Sequence, residues 1–181
     1  MKELSNLKNL HIQNCTIGNA NSLTNLTNLE RLGLSHNNIS DISPINELKN
    51  LKILMLEDEL INNIDSLSKL TNLEKLSLYI KQSKDVKPLY GLINLTELHL
   101  NGNHIDITPL SELINLKFLN IGHNTTNDIS SLNKLIKLEN LMLWENNIND
   151  INSLHELFNL RTLGIVDNKI NNVNPLNDLI N

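Results

Sequence analysis

The sequence predicts an α/β repeat solenoid, with a curved parallel β-sheet on its concave face and short 3₁₀ or helical turns on its convex face. Three observations predict it. One leucine-anchored unit recurs eight times, starting at residues 4, 26, 48, 70, 92, 113, 135 and 157. Each copy contains a tract of apolar residues alternating at period two, the mark of a strand with one buried face. Each copy also carries a second segment in which every proline of the chain occupies the same slot. Self-similarity at a period of this size belongs to stacked-repeat architectures. The repeats account for residues 1–181 as a single domain.

The strand comes first in each unit. The Leu29 and Leu32 positions are leucine in all eight copies, and the Leu34 position is Leu or Ile throughout. Aromatic residues make up only 3% of the chain, so aliphatic side chains must fill the core. A lone unit cannot bury these leucines; stacking brings each column into register and closes a continuous core. The strands then pair in parallel, at about 4.8 Å per unit.

The turn follows. Asn37 and its counterparts Cys15, Glu59, Lys81, Asn103, Asn124, Asn146 and Asn168 sit just past the strand. An inward asparagine can bond the backbone of the turn, and stacked copies form a ladder. Cys15 is expected as a small buried substitute at the terminal unit. Glu59 and Lys81, in adjacent units, are expected to pair where two asparagines are missing. Pro44, Pro88, Pro109 and Pro175 share one slot with Ser22, Ser66, Ser131 and Ser153. The residues just before them, such as Ser43, Asp65 and Thr108, are expected as N-caps of a short helical turn. Unit five lacks one residue between Ile105 and Asp106, and the deletion is expected in a loop, with the strands kept in register.

These residues resemble the short, 22-residue class of leucine-rich repeats. That class includes bacterial internalins and the leucine-rich regulatory subunit of eukaryotic protein phosphatase 1. The tract Leu26-Thr27-Asn28-Leu29, with Ile39-Ser40-Asp41-Ile42-Ser43-Pro44, looks most like the internalin version. The resemblance covers residues 4 to 178 and implies a protein-binding module. Its regulatory-subunit side implies an alternative, an inhibitor or regulatory subunit of an enzyme such as a phosphatase.

Function is expected on the outward strand positions. In Arg31-Leu32-Gly33-Leu34-Ser35 the leucines point inward and the other three residues face the concave surface. Ile53, Glu97 and Phe118 fall in the first outward column, Met55, His99 and Met142 in the second, and Glu57, Tyr79, Trp144 and Val166 in the third. Three of the five aromatic residues and two of the three methionines thus share one face. Such side chains are the usual anchors of protein interfaces. Gly122 and Val166 flank Trp144, and the indole is expected to stand open on the Gly122 side. Asp58, Glu145 and Asp167 make the adjoining edge acidic, which favours a basic partner. Tyr90 and Phe158, by contrast, are expected to fill gaps between convex turns.

Other classes find little support. Net charge is −5 and the pI about 5.6, with no basic stripe for nucleic acid. No catalytic constellation, phosphate loop or metal-ligand spacing emerges, so neither an enzyme nor a cofactor is expected. No apolar run reaches the roughly 18 residues of a membrane span. The N-terminal residues lack an apolar leader and Cys15 stands alone, so a cytoplasmic location is expected; a secreted or cell-surface one is the alternative if the chain is part of a longer protein. The uncapped terminal units point to end-to-end self-association or flanking domains.

Overall fold

The computed structural model describes residues 4–57, 60–80, 85–102, 104–177 and 179. Eight parallel strands form one sheet in strict chain order. They are β1 (Asn9–His11), β2 (Arg31–Gly33), β3 (Ile53–Glu57), β4 (Lys75–Tyr79), β5 (Glu97–Asn101), β6 (Phe118–Asn120), β7 (Asn140–Met142) and β8 (Thr162–Gly164). Each strand is followed by a 3₁₀ segment of three to five residues, from Asn21–Leu23 to Asn174–Leu176. No α-helix occurs among the described residues. The tight turns fit units too short to build a full helix. No helix is long and apolar enough to cross a membrane among the described residues.

Register follows the unit. Leu32 lies beside Leu54, Leu54 beside Leu76, and Leu76 beside Leu98. The shortened fifth unit leaves pairing intact, with Leu98 beside Leu119 and His99 beside Asn120. The inward leucine columns are fully buried in the internal units and form one continuous core with the isoleucines and leucines of the convex turns. At the terminal units Leu10 and Leu163 are only partly buried.

The asparagine ladder binds one unit to the next. Asn37 Nδ2 donates to the carbonyls of Leu34 in its own unit (2.7 Å) and Ile12 in the previous one (2.6 Å), while its Oδ1 accepts from Cys15 N (3.1 Å). Asn146 repeats the arrangement with Leu143, Ile121 and the backbone N–H of Thr126, as Asn168 does with Ile165, Leu143 and the N–H of Ile148. Asn124 keeps its donor bonds to Ile121 and Leu100, but its buried Oδ1 has no partner among the described residues. The missing residue of unit five falls in the loop after Ile105, so the deletion spares the strands. The residues before these asparagines (His36, His123, Glu145 and Asp167) take positive φ, swinging the chain out of the strand. Glu59, Lys81 and Asn103 lie outside the described residues, and with them the expected Glu59–Lys81 pair.

Two expectations are corrected. Cys15 is exposed, not buried. Its backbone N–H joins the ladder at Asn37 Oδ1, while its thiol reaches only the Gln13 carbonyl two residues back (3.5 Å). The helix caps also come from a different residue. Ser43, Asp65 and their equivalents are the first residues of the 3₁₀ turns, and the capping position is apolar, as at Ile42 and Ile64. Those side chains are buried and cannot cap. The cap comes from one residue earlier still. Asn19, Asp41, Asn63, Asp85, Asp106, Asp128, Asp150 and Asn172 each accept from the backbone N–H two residues ahead, at 2.8–3.1 Å. This is the Asx turn, available to either side chain.

A second amide ladder runs through the turn before each strand. Asn28, Asn50, Asn72, Asn94, Asn115 and Asn159 each donate Nδ2 to a carbonyl of the previous unit, at 2.8–2.9 Å. Sequence reading missed its role, although asparagine recurs visibly in the Leu-x-Asn-Leu tract.

Two outcomes are expected. Leu76 is 1% exposed in a central unit, so Leu76→Ala should cost about 2–5 kcal/mol in a denaturant titration. The second concerns acid. Hydrogen bonds from Ser43 and Ser130, backbone first, hold Asp41 and Asp128 below the usual aspartate range. Thr108 does the same to Asp106, its hydroxyl leading. A depressed folded pKa contributes stability above the unfolded value and loses it as pH falls through the folded one. Stability should therefore decline below about pH 4. Asn63 shows that an amide can cap equally well, so Asp41→Asn/Asp106→Asn/Asp128→Asn should flatten that decline in melts from pH 2 to 7.

Candidate functional site: the concave face

The period-two strands turn alternate side chains outward, and parallel register stacks these into three columns. Arg31, Ile53, Lys75, Glu97 and Phe118 lie successively side by side, as do Gly33, Met55, Ser77, His99, Asn120 and Met142. The third column runs through Glu57, Tyr79 and Asn101. Its earlier member Ser35 is buried, and its hydroxyl accepts from Glu57 N (3.3 Å). It contributes to the wall, not to the open face.

The centre of the face is a charged and aromatic cluster. Lys75 Nζ bonds Glu97 Oε2 at 2.5 Å, and His99 Nε2 lies 3.1 Å from Glu97 Oε1. The Lys75 ammonium holds the Glu97 carboxyl below its usual range, against partial burial. His99 stacks on Phe118, with ring centroids 4.7 Å apart. Beside them, Ser77 Oγ donates to Glu57 Oε1 (2.6 Å). Tyr79 stands apart from the other aromatics, in a shallow 250 Å³ recess with His36, Glu57 and Asn101. Ile53 is half-buried, and Met55 and Val166 are exposed.

The C-terminal part of the face is built around Trp144. Its indole does not stand open toward Gly122, as expected; it lies down upon it. A Cβ at Gly122 would clash with the pyrrole end of the ring, 2.1 Å from Nε1, and a Cβ at Gly164 would sit 3.2 Å from Cε3 at the benzo end. Two glycines, in the units on either side of that of Trp144, thus leave the bed in which the half-buried ring spans three units. Met142 Sδ lies over Gly164 beside it. His123 meets the indole edge-on at 6.4 Å and pairs with Glu145 (2.8 Å), so this acidic-edge residue already has a partner. Sequence reading missed His123 and the role of both glycines. Asp58 lies outside the described residues.

The face therefore carries two groups: Lys75, Glu97, His99 and Phe118 at the centre, and Met142 with Trp144 on their glycine bed. Tyr79 does not join them into one continuous apolar region, because Asn101 separates it from the Trp144 side. Among the described residues no three His, Cys, Asp or Glu side chains are arranged to hold a metal. Tyr90 and Phe158 are exposed on the turns and fill no gap, because the leucines beneath them already close the core.

Comparison with known proteins places this geometry. The family described as Leucine Rich repeats (2 copies) matches residues 27–69. No curated protein matches the chain. Among solved structures, internalin C2 of Listeria monocytogenes is 33% identical with a TM-score of 0.91, covering 99% of this chain and 80% of its own. An internalin of the same organism, InlF, is 31% identical with a TM-score of 0.91; the match covers 98% of this chain but only 53% of InlF. A plant peptide hormone receptor, solved in complex with RGF2, shares the fold at 20% identity and a TM-score of 0.72, over 94% of this chain and 30% of the receptor. Leucine-rich-repeat folds generally mediate protein–protein interaction. With one internalin matched at this identity over four-fifths of its length, the chain belongs to the internalin family of leucine-rich-repeat proteins.

Proposed function

We propose that the chain binds a protein partner on its concave face and catalyses nothing. The observation that carries this is the Trp144 platform. A large ring lies outside the core, on a bed that only glycine leaves free, at a surface the strands already close without it. A half-buried ring has lost much of its rotational freedom before any partner arrives, so it docks at low entropic cost. Phe118 stacked on His99 and exposed Met55 add apolar area along the same face. Glu57 and Glu97 supply acceptors for a basic partner side chain. Such a face suits a folded protein or an extended segment lying across the strands. The alternative, a regulatory subunit of a phosphatase, rests on the shared repeat class alone and draws no support from any particular side chain.

Titration of a partner recovered by affinity capture tests this reading. Trp144→Ala should cost at least about 2 kcal/mol of binding. Gly122→Ala should evict the indole from its bed, shift the emission of the only tryptophan to longer wavelength, and weaken binding as well. Tyr90→Ala, on a convex turn, should bind as wild type. Wild-type affinity in Trp144→Ala and Phe118→Ala, with a loss in Tyr90→Ala, would overturn the proposal.

A further inference from the structure

The turn that leads from each 3₁₀ segment into the next strand carries one outward side chain. In the first four units this slot holds Ser5, Thr27, Lys49 and Thr71; in the last four it holds Ile93, Ile114, Ile136 and Phe158. The fold tolerates polar residues here, so packing within the chain does not require the change. All four apolar side chains are 50–54% exposed. They stand on adjacent units about 4.8 Å apart, so they form a stripe of roughly a few hundred Å², a size that marks an interaction surface. Their backbones are fixed in advance. Asn115 and Asn159 bond the carbonyls of Ile93 and Ile136, and Lys137 Nζ reaches Asn115 Oδ1 at 2.7 Å.

We propose that this stripe docks against the same stripe of a second copy of the chain. Charge selects that occupant. Just past the stripe toward the strands run Lys117, Glu139 and Arg161; just before it run Glu112, Lys134 and Glu156. Both rows alternate in sign, in opposite phase. Neighbours within each row already face one another, Lys117 with Glu139 at 3.7 Å and Lys134 with Glu112 at 3.5 Å. A two-fold axis crossing the stripe between Ile114 and Ile136 sets Lys117 against Glu139 of the second copy, and Glu112 against its Lys134. A two-fold axis along the stripe sets Lys117 against Glu112 and Glu139 against Lys134 of the second copy. Either isologous arrangement brings opposite charges together around an apolar centre. A surface of one sign would repel itself, whereas this one is complementary to its own copy. The pairs within one chain are exposed and contribute little alone, so they re-partner across the interface at small cost. Four side chains supply a modest apolar centre, which makes the dimer weak and reversible. The inference is independent of the concave-face reading, since the stripe shares no residue with it.

Sedimentation equilibrium over a wide concentration series, with circular dichroism to confirm the fold, tests this. The wild-type chain should show a reversible monomer–dimer equilibrium. Ile114→Thr/Ile136→Thr restores the residue that the slot holds at Thr27 and Thr71, so it leaves the fold intact. It should weaken the dimer at least about tenfold. Glu139→Lys meets a cation in either arrangement and should weaken it several-fold, whereas Trp144→Ala should leave it unchanged. A wild-type chain that stays monomeric throughout overturns the proposal, even if the stripe captures some other protein. So does a dimer that survives Ile114→Thr/Ile136→Thr, since association would then run through the ends of the sheet or the concave face.

Discussion

No unit of this chain can bury its own leucines, and the rest of the structure follows from that. Each inward leucine needs the unit above and the unit below to complete its surroundings, so the core exists only as a stack. The apolar columns from Leu26 to Leu157 set the spacing, and two amide ladders lock it. Leucine contacts are non-directional and tolerate sliding; the asparagines do not. Asn146 holds carbonyls of two units and an N–H at once, which fixes both the height and the rotation of one turn upon the next. The outward columns line up because the inward ones are pinned.

That division of labour separates structure from function along the chain. The inward positions repeat because every unit meets the same neighbours. The outward positions are free of that constraint, so departures from repetition carry information. Trp144 between two glycines, Phe118 stacked beneath His99, and the polar-to-apolar switch from Thr71 to Ile93 all break a pattern at sites the core does not use. The two surfaces differ in character. The concave groups are rings and charges suited to a dissimilar partner, whereas the lateral stripe is flanked by charge rows that complement themselves.

Period and spacing made the fold legible in the sequence, because the leucine columns are a direct consequence of stacking. Strand positions, the Asn37-type ladder and the strand register kept across the shortened unit five all followed from them. The parts that were not legible depend on where a side chain goes after leaving the backbone. Serine and asparagine at the start of a short turn read as caps, yet the cap comes from Asp41 and its equivalents, since the position between is an isoleucine drawn into the core. Cys15 read as buried because its column is, yet its side chain is exposed and its thiol reaches only the Gln13 carbonyl. Trp144 read as open toward Gly122, when the absent Cβ is what lets the ring collapse onto that residue. The apolar stripe is present in the sequence as the column Ile93, Ile114, Ile136 and Phe158, but among so many buried apolar columns only its exposure sets it apart.

A dissimilar partner that seats on the concave face, as proposed, leaves the convex turns free. Hydroxyl-radical footprinting tests this most directly, because that probe modifies the residue types at issue. The chain, dilute enough to be monomeric, is exposed with and without its captured partner, and modification is read residue by residue by mass spectrometry. Strong protection of Trp144, Met142 and Phe118 is expected, with Tyr90 and Phe158 as reactive in the complex as in the free chain. Protection of Tyr90 and Phe158 with Trp144 unchanged would contradict it.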